Sequence, residues 1–353
     1  MKRVILVLSI AGCATIGSDS DLAEVPSSGV GPFRKFEAKE VKGIAPFVLD
    51  SSRTEYVEPS VLAGDGTGVI LYATKRTSDT TSEIVRTRAD DARTFYGATG
   101  HFGKAPITVL APALPWEGTA LGRPSALRVR GEVWLYYATA NGIGLARSGD
   151  GIHFRREANP VLGPANPGGW ETEAPKEPSV AVFPDGTFHM LYVSGSSIGE
   201  AASGDGVHFQ RVDAVPTVAG PEPILGPNPR KGATDHGAVG CPTIVPRMTP
   251  ADRLHVRVLY TAYDKPRTDP TATTVLAFAG RYETTGPLVV NELPVLALKA
   301  GERCPSLLEP AGAPHRLLYF DLRQPGQTLH GIAAAIAPVT SKLGDLGDFP
   351  PSP

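Results

Sequence analysis

Three carboxylates stand out for the chemistry they could do. Glu58 and Glu177 each stand directly before a proline, in Glu58-Pro59-Ser60-Val61 and Glu177-Pro178-Ser179-Val180. Asp235 lies beside His236 in Thr234-Asp235-His236-Gly237. Two carboxyl groups held a few ångströms apart can divide acid–base work, one supplying a proton while the other activates water or attacks directly. Trp116-Glu117 and Trp170-Glu171-Thr172-Glu173 add two indoles, whose faces suit stacking on apolar sugar surfaces, and more carboxylates beside them. His236 could donate a hydrogen bond, ligate a metal or sit satisfied in the interior, and its type does not choose among these. No His, Cys and Asp cluster shows a metal-ligand spacing, and no cofactor is implied.

The elements that must position these groups are repeats. Glu58-Pro59-Ser60-Val61, Arg123-Pro124-Ser125-Ala126, Glu177-Pro178-Ser179-Val180, Cys241-Pro242-Thr243-Ile244 and Cys304-Pro305-Ser306-Leu307 recur at spacings of 65, 54, 64 and 63 residues. A β-rich run with an aromatic follows each one: Leu71-Tyr72, Tyr136-Tyr137, Leu191-Tyr192, Leu259-Tyr260 and Leu318-Tyr319. The tyrosines read as a shared packing position. Ser148-Gly149-Asp150-Gly151 and Ser203-Gly204-Asp205-Gly206 are hairpin signals between β-patterned segments. No unit shows a helical apolar stripe. Five units of about four strands predict an all-β, five-bladed propeller with blades starting near residues 58, 123, 177, 241 and 304.

Phe33-Arg34-Lys35-Phe36-Glu37 occupies, ahead of Pro46, the place that a fourth strand holds in the units opened by Arg123 and Glu177. The N-terminal segment should therefore supply the outer strand of the last blade. With residues 32–340 in one propeller, the 39 glycines and 34 prolines of the 353-residue chain fall largely at blade junctions and hairpins. The balance of 34 basic against 36 acidic side chains argues against a nucleic-acid partner.

An opening of Glu-Pro-Ser-Val, a Tyr-bearing inner strand and an Ala-x-Ser-x-Asp-Gly-x-x-Phe turn resemble the five-bladed propeller glycosidases. These are the arabinanase and xylosidase group of glycoside hydrolase family 43 and the invertase and levansucrase relatives of family 32. The resemblance covers residues 33–338 and is more specific for the fold than for the reaction. It implies an oligosaccharide or polysaccharide in a central funnel, with an Asp of blade one as base or nucleophile, an Asp of blade two tuning the acid, and a Glu of blade three as general acid. The matching openings here hold Glu58, Arg123 and Glu177. Glu177 keeps the acid's type, with Glu58 or Asp235 as its partner. Arg123 replaces the tuning Asp, and a fixed positive charge would depress a neighbouring Glu. Arg123, Trp116, Trp170, Glu173 and His236 are the candidate substrate contacts. Trp116 and Trp170 can equally be loop anchors, and Glu58 and Glu177 can equally be ion-paired with Arg123 or Lys176.

Cys241 and Cys304 hold equivalent places in successive repeats, so they begin adjacent inner strands. An oxidising compartment favours a Cys241–Cys304 disulfide, worth roughly 4 kcal/mol in the chain-entropy model. The alternative is a pair of reduced thiols lining the channel. The third cysteine belongs to the N-terminus. Lys2 and Arg3 precede the apolar stretch Val4 to Ile10, too short to span a bilayer, and Leu8-Ser9-Ile10-Ala11-Gly12-Cys13 resembles the lipobox of bacterial lipoproteins. On this reading residues 1–12 are a signal peptide, Cys13 carries lipid, residues 13–31 are a flexible tether and 341–353 a tail. The expectation is a monomer, lipid-anchored to the bacterial cell envelope and either periplasmic or surface-exposed.

Three functions fit these residues. A hydrolase expects several carboxylates converging in the funnel. A non-catalytic carbohydrate binder expects aromatics there and carboxylates paired with Arg123. A protein-interaction platform expects an occluded funnel and an apolar patch elsewhere. For the anchor, cells fed radiolabelled palmitate should label the wild-type chain and not Cys13→Ala, and equal labelling of the two would exclude acylation at Cys13.

Overall fold

The computed structural model describes residues 33–37, 39, 41, 46–51, 53–64, 68–95, 105–165, 169–213, 222–248, 252–282, 284–291, 301–309, 315–322 and 331–338. Cys13, the tether and the C-terminal tail lie outside them. Two short N-terminal strands come first, β1 (Arg34–Lys35) and β2 (Phe47–Leu49). Blade one is β3 (Glu55–Ala63), β4 (Val69–Arg76), β5 (Ser82–Ala89) and β6 (Ile107–Leu110). Blade two is β7 (Gly122–Val129), β8 (Glu132–Thr139), β9 (Gly142–Ser148) and β10 (Arg155–Arg156). Blade three is β11 (Lys176–Val182), β12 (Phe188–Ser194), β13 (Ser197–Ser203) and β14 (Gln210–Val212). Blade four is β15 (Ala238–Met248), β16 (Leu254–Tyr263), β17 (Thr274–Arg281) and β18 (Val289–Asn291). Blade five is β19 (Arg303–Leu308), β20 (His315–Leu322) and β21 (Gly331–Pro338), completed by the N-terminus. Arg34 pairs with Ile336 and Lys35 with Ala335, and β2 pairs with the same strand. The chain is thus a five-bladed β-propeller whose N-terminal strand closes the last blade.

Every sheet lies between two neighbours, so both faces of its middle strands are apolar and the run reads as continuous rather than alternating. Successive side chains still point to opposite faces. Leu71 belongs to the core shared by blades five and one, and the next residue, Tyr72, to the core shared by blades one and two. Three further apolar clusters fill the remaining interfaces, two to three, three to four and four to five. Polar ties supplement them. Tyr72 Oη donates to Gly151 O (2.8 Å), Tyr136 Oη to Gly206 O (2.7 Å) and Tyr319 Oη to Ala92 O (2.8 Å), each reaching a hairpin turn of the next blade. Gly151 and Gly206 have φ of 71° and 74°, and a Cβ on either would stand under 3 Å from that tyrosine hydroxyl, so those two turns favour glycine, whereas the third carries Ala92 at φ 61°.

The five tyrosine-bearing runs do not share one position. Tyr72, Tyr136 and Tyr319 stand opposite the repeat serines, but opposite Ser179 and Thr243 stand Leu191 and Leu259. Tyr137, Tyr192 and Tyr260 are one residue further on, and so face the other way. The sequence pattern had merged these two classes.

At the axis, the register of each blade's first two strands breaks at one place: between Val57 and Ser60, Gly122 and Ser125, Lys176 and Ser179, Gly240 and Thr243, and Arg303 and Ser306. The break is a bulge that lifts the residue before proline, and the proline itself, out of the ladder. Proline has no N–H, so it costs least at a bulge. The lifted residue is left-handed in all five blades, with φ of 58° at Glu58, 47° at Arg123, 54° at Glu177, 48° at Cys241 and 52° at Cys304. For a residue with a Cβ this conformation costs about 1–3 kcal/mol.

The Ser or Thr after the proline ties the blades into a ring. Ser306 Oγ accepts from Val61 N (3.1 Å), Ser60 Oγ from Ala126 N (2.9 Å), Ser125 Oγ from Val180 N (2.9 Å) and Ser179 Oγ from Ile244 N (3.0 Å). Thr243 completes the circuit by donating its hydroxyl to Pro305 O. Each bond crosses from one blade to the next. Ser179→Ala should leave the buried Ile244 N–H unpaired and lower unfolding stability by about 1–3 kcal/mol, read from the midpoint of a urea transition with unchanged slope. An unshifted midpoint would remove this bond from the account.

Candidate functional site

The five left-handed residues open the inner strands, and their chemistry is unequal. In blades four and five they are Cys241 and Cys304, joined in a disulfide with Cα atoms 4.7 Å apart. In blades one to three they are Glu58, Arg123 and Glu177, which the ring brings together. Glu58 Oε2 accepts from Arg123 N (2.8 Å) and from Thr74 Oγ1 (2.6 Å). Arg123 is buried and crosses the axis, donating from Nη2 to Pro242 O of blade four (3.1 Å). Glu177 Oε2 accepts from Cys241 N (2.7 Å), and Oε1 is paired with Arg267, which lies over the Tyr263 ring at 5.2 Å.

These contacts set the charge states. Burial alone would raise the Glu177 carboxyl, but Arg267, Arg123 and the Cys241 N–H outweigh it and hold the group at about 2. Burial pulls Arg123 below its usual range, while Glu177, Glu58 and Asp321 act against that shift. Asp321, on β20, is pushed the other way. It is fully buried and close to Glu58, and burial raises its carboxyl to about 7 even though Arg303 and the Glu58 N–H favour the ion. Asp321 Oδ1 accepts the Glu58 N–H. Thr74 and Thr261 hold the same place in blades one and four, where their hydroxyls accept from Arg123 N and Cys304 N at 2.9 Å each. Sequence reasoning passed over Asp321 and Arg267. The available signal for Asp321 was a polar residue in an otherwise apolar strand, as at Thr74 and Thr261. Arg267 lies in a loop with no pattern to mark it.

The remaining candidates sit elsewhere. Asp235 is buried, and its carboxylate accepts from Tyr260 Oη at 3.4 Å. Glu117 and Glu171 do the same for Tyr137 (2.8 Å) and Tyr192 (2.7 Å), the second tyrosine class, so all three acids tie an entry loop to its own blade. Glu117 also accepts from Ala113 N and Leu114 N, and Glu171 holds Arg211. Trp116 donates from Nε1 to Ala158 O (2.8 Å), and Trp170 stacks on Tyr192 with ring centres 6.0 Å apart. Each indole is engaged by its own blade. Glu173 pairs with Lys176, and exposed His236 meets Asn228 O through Nδ1 at 2.9 Å.

No family model matches the chain, and no curated protein matches it. Solved structures do. A thermostable family-43 glycoside hydrolase superposes with a TM-score of 0.58 at 14% identity, over 80% of this chain and 90% of that one. The arabinanase of Bacillus subtilis gives 0.57 at 15%, over 83% and 96%. A family 117 glycoside hydrolase of the marine bacterium Zobellia galactanivorans gives 0.57 at 15%, over 89% and 92%. The fold is that of the five-bladed propeller glycoside hydrolases. Within this glycoside hydrolase-like propeller, the blade-opening residues are the ones that meet at the axis.

Asp321 offers a test of the electrostatics. Its raised carboxyl means that between about pH 4 and pH 7 the folded chain keeps a proton that the unfolded chain has released. The stability this group contributes is fully present below about pH 4 and is lost as pH rises through about 7. Wild type minus Asp321→Asn, which keeps an acceptor for the Glu58 N–H, should fall with pH over that window by up to about 1.4 kcal/mol per pH unit. A flat difference in urea unfolding from pH 4.5 to 7.5 would contradict the assignment.

Proposed function

We propose that the protein is a lipid-anchored carbohydrate receptor of the bacterial cell envelope, glycoside hydrolase-like in form, which engages an oligosaccharide where Glu58, Arg123 and Glu177 meet. The observation that carries this reading is the Glu177–Arg267 pair. With 11% and 24% of their side chains exposed, these two groups give a ligand access to a fixed carboxylate beside a fixed guanidinium. Such a pair accepts hydrogen bonds from sugar hydroxyls and donates to their oxygens, and charged partners make these among the stronger hydrogen bonds. Held at about 2, Glu177 has no proton to give a leaving group near neutrality, so its part is to bind and orient. Asp235, tied to Tyr260, is left to structure, and so are Trp116, Trp170, Glu173 and His236, whose contacts lie within their own loops and blades.

A second reading, hydrolysis, is favoured by Asp321. A carboxyl raised to about 7 and bonded to the Glu58 backbone holds its proton where Glu177 does not. Catalysis would then run through Glu58, with the fully buried Asp321 as a positioning residue behind it and Glu177 as a substrate contact.

The purified full-length chain should bind a member of an oligosaccharide panel by calorimetry. Glu177→Gln should weaken that binding by about 10–100-fold, the worth of one charge-assisted hydrogen bond. Unchanged affinity in Glu177→Gln would remove the pair from the site, and failure of the whole panel to bind would overturn the carbohydrate reading. Release of new reducing ends, abolished by Glu58→Gln, would select hydrolysis.

A further inference from the structure

Past the ring of opening residues the axis holds a cavity of about 180 Å³, partly open to solvent and walled by the inner strands of all five blades. Its wall consists of prolines, aliphatic residues, the hydroxyl residues Ser60, Ser125, Ser179, Thr243 and Ser306, and Arg123. Arg123 is the only charged residue in that wall. Its guanidinium is buried, and only Nη2 is bonded, to Pro242 O. Nε and Nη1 have neither an acceptor nor exposure to solvent. Glu58, Glu177 and Asp321 act on this charge, but none forms an ion pair with it among the described residues. A buried donor in a charged group without an acceptor is costly, and a counter-ion relieves it.

The serines add to the same chemistry. Each of Ser60, Ser125, Ser179 and Ser306 already accepts a backbone N–H from the following blade, so the hydroxyl proton is what it has left to donate. No hydrogen bond among the described residues takes those protons. Among the described residues the wall carries no carboxylate to balance a cation's charge, and Arg123 opposes one. One buried positive charge and four available O–H groups describe an anion site.

We propose that the axial cavity binds a small inorganic monoanion of halide size, held by the serine hydroxyls beside the buried positive charge of Arg123. A halide suits it because a spherical ion accepts from several O–H groups without directional preference. Bound there, it fixes Arg123 across the axis and so sets the floor of the funnel. This site does not depend on what the funnel binds.

The test uses the full-length protein and sodium bromide. Crystals soaked in bromide and measured at the bromine absorption edge should show an anomalous peak in the axial cavity, within hydrogen-bond reach of the serine hydroxyls. In solution, replacing methanesulfonate by chloride at constant ionic strength should raise the wild-type melting temperature by about 2–4 °C, and Arg123→Gln should lose that difference. Bromide at surface positions only, with none in the cavity, overturns the proposal. So does a wild-type melting temperature that is the same in chloride and methanesulfonate. Both readings of the wild-type protein stand even if Arg123→Gln fails to fold.

Discussion

The structure depends on one hydrogen bond used around a circle: the hydroxyl of a residue placed after proline, bonded to the backbone of the next blade. Ser306, Ser60, Ser125 and Ser179 accept N–H groups, and Thr243 donates to a carbonyl. Apolar clusters hold adjacent blades together, but apolar burial is non-directional and would tolerate a blade sliding along the axis. The hydroxyl bonds fix the height of each blade against its neighbour. That constraint aligns the five bulges, and the bulges put five left-handed residues at one level.

Such a ring confines its polar groups to few partners and little water, so local geometry decides their charge. Glu177 and Asp321 show this within one site. Both are buried carboxyls, but Glu177 has Arg267 and a backbone N–H on its oxygens, whereas Asp321 has one N–H, an unpaired Oδ2 and Glu58 nearby. One is held ionised and the other is pushed toward neutral. A second set of acids serves structure. Glu117, Glu171 and Asp235 each face a tyrosine hydroxyl, and there they anchor loops.

Much of the architecture was legible in the sequence because proline and Asp-Gly punctuate it. The residue-Pro-Ser/Thr openings mark the bulges, Asp150-Gly151 and Asp205-Gly206 mark hairpins, and the surplus strand at Phe33–Glu37 has one place to go in a ring that must close. The site was legible only in part. Glu58, Arg123 and Glu177 belong to the repeat and were found by it. Arg267 holds Glu177 ionised and Asp321 holds the Glu58 backbone, but both meet the trio across blades, through contacts that have no fixed sequence spacing. The offset between Tyr136 and Tyr137 was hidden for a different reason. Both residues are aromatic, and only the strand register tells which face each takes.

The ring holds Glu177 as an anion and not as a proton donor near neutral pH. Carbon-detected NMR of chain labelled at the glutamate carboxyl carbons, titrated from pH 7 downward, measures this directly, with Glu177→Gln to assign the resonance. The expected result is a signal that remains largely ionised down to about pH 3 and is missing from the variant. If the Glu177 resonance instead titrates at or above the ordinary glutamate value of about 4.3, the arrangement described for Arg267, Arg123 and the Cys241 N–H is wrong.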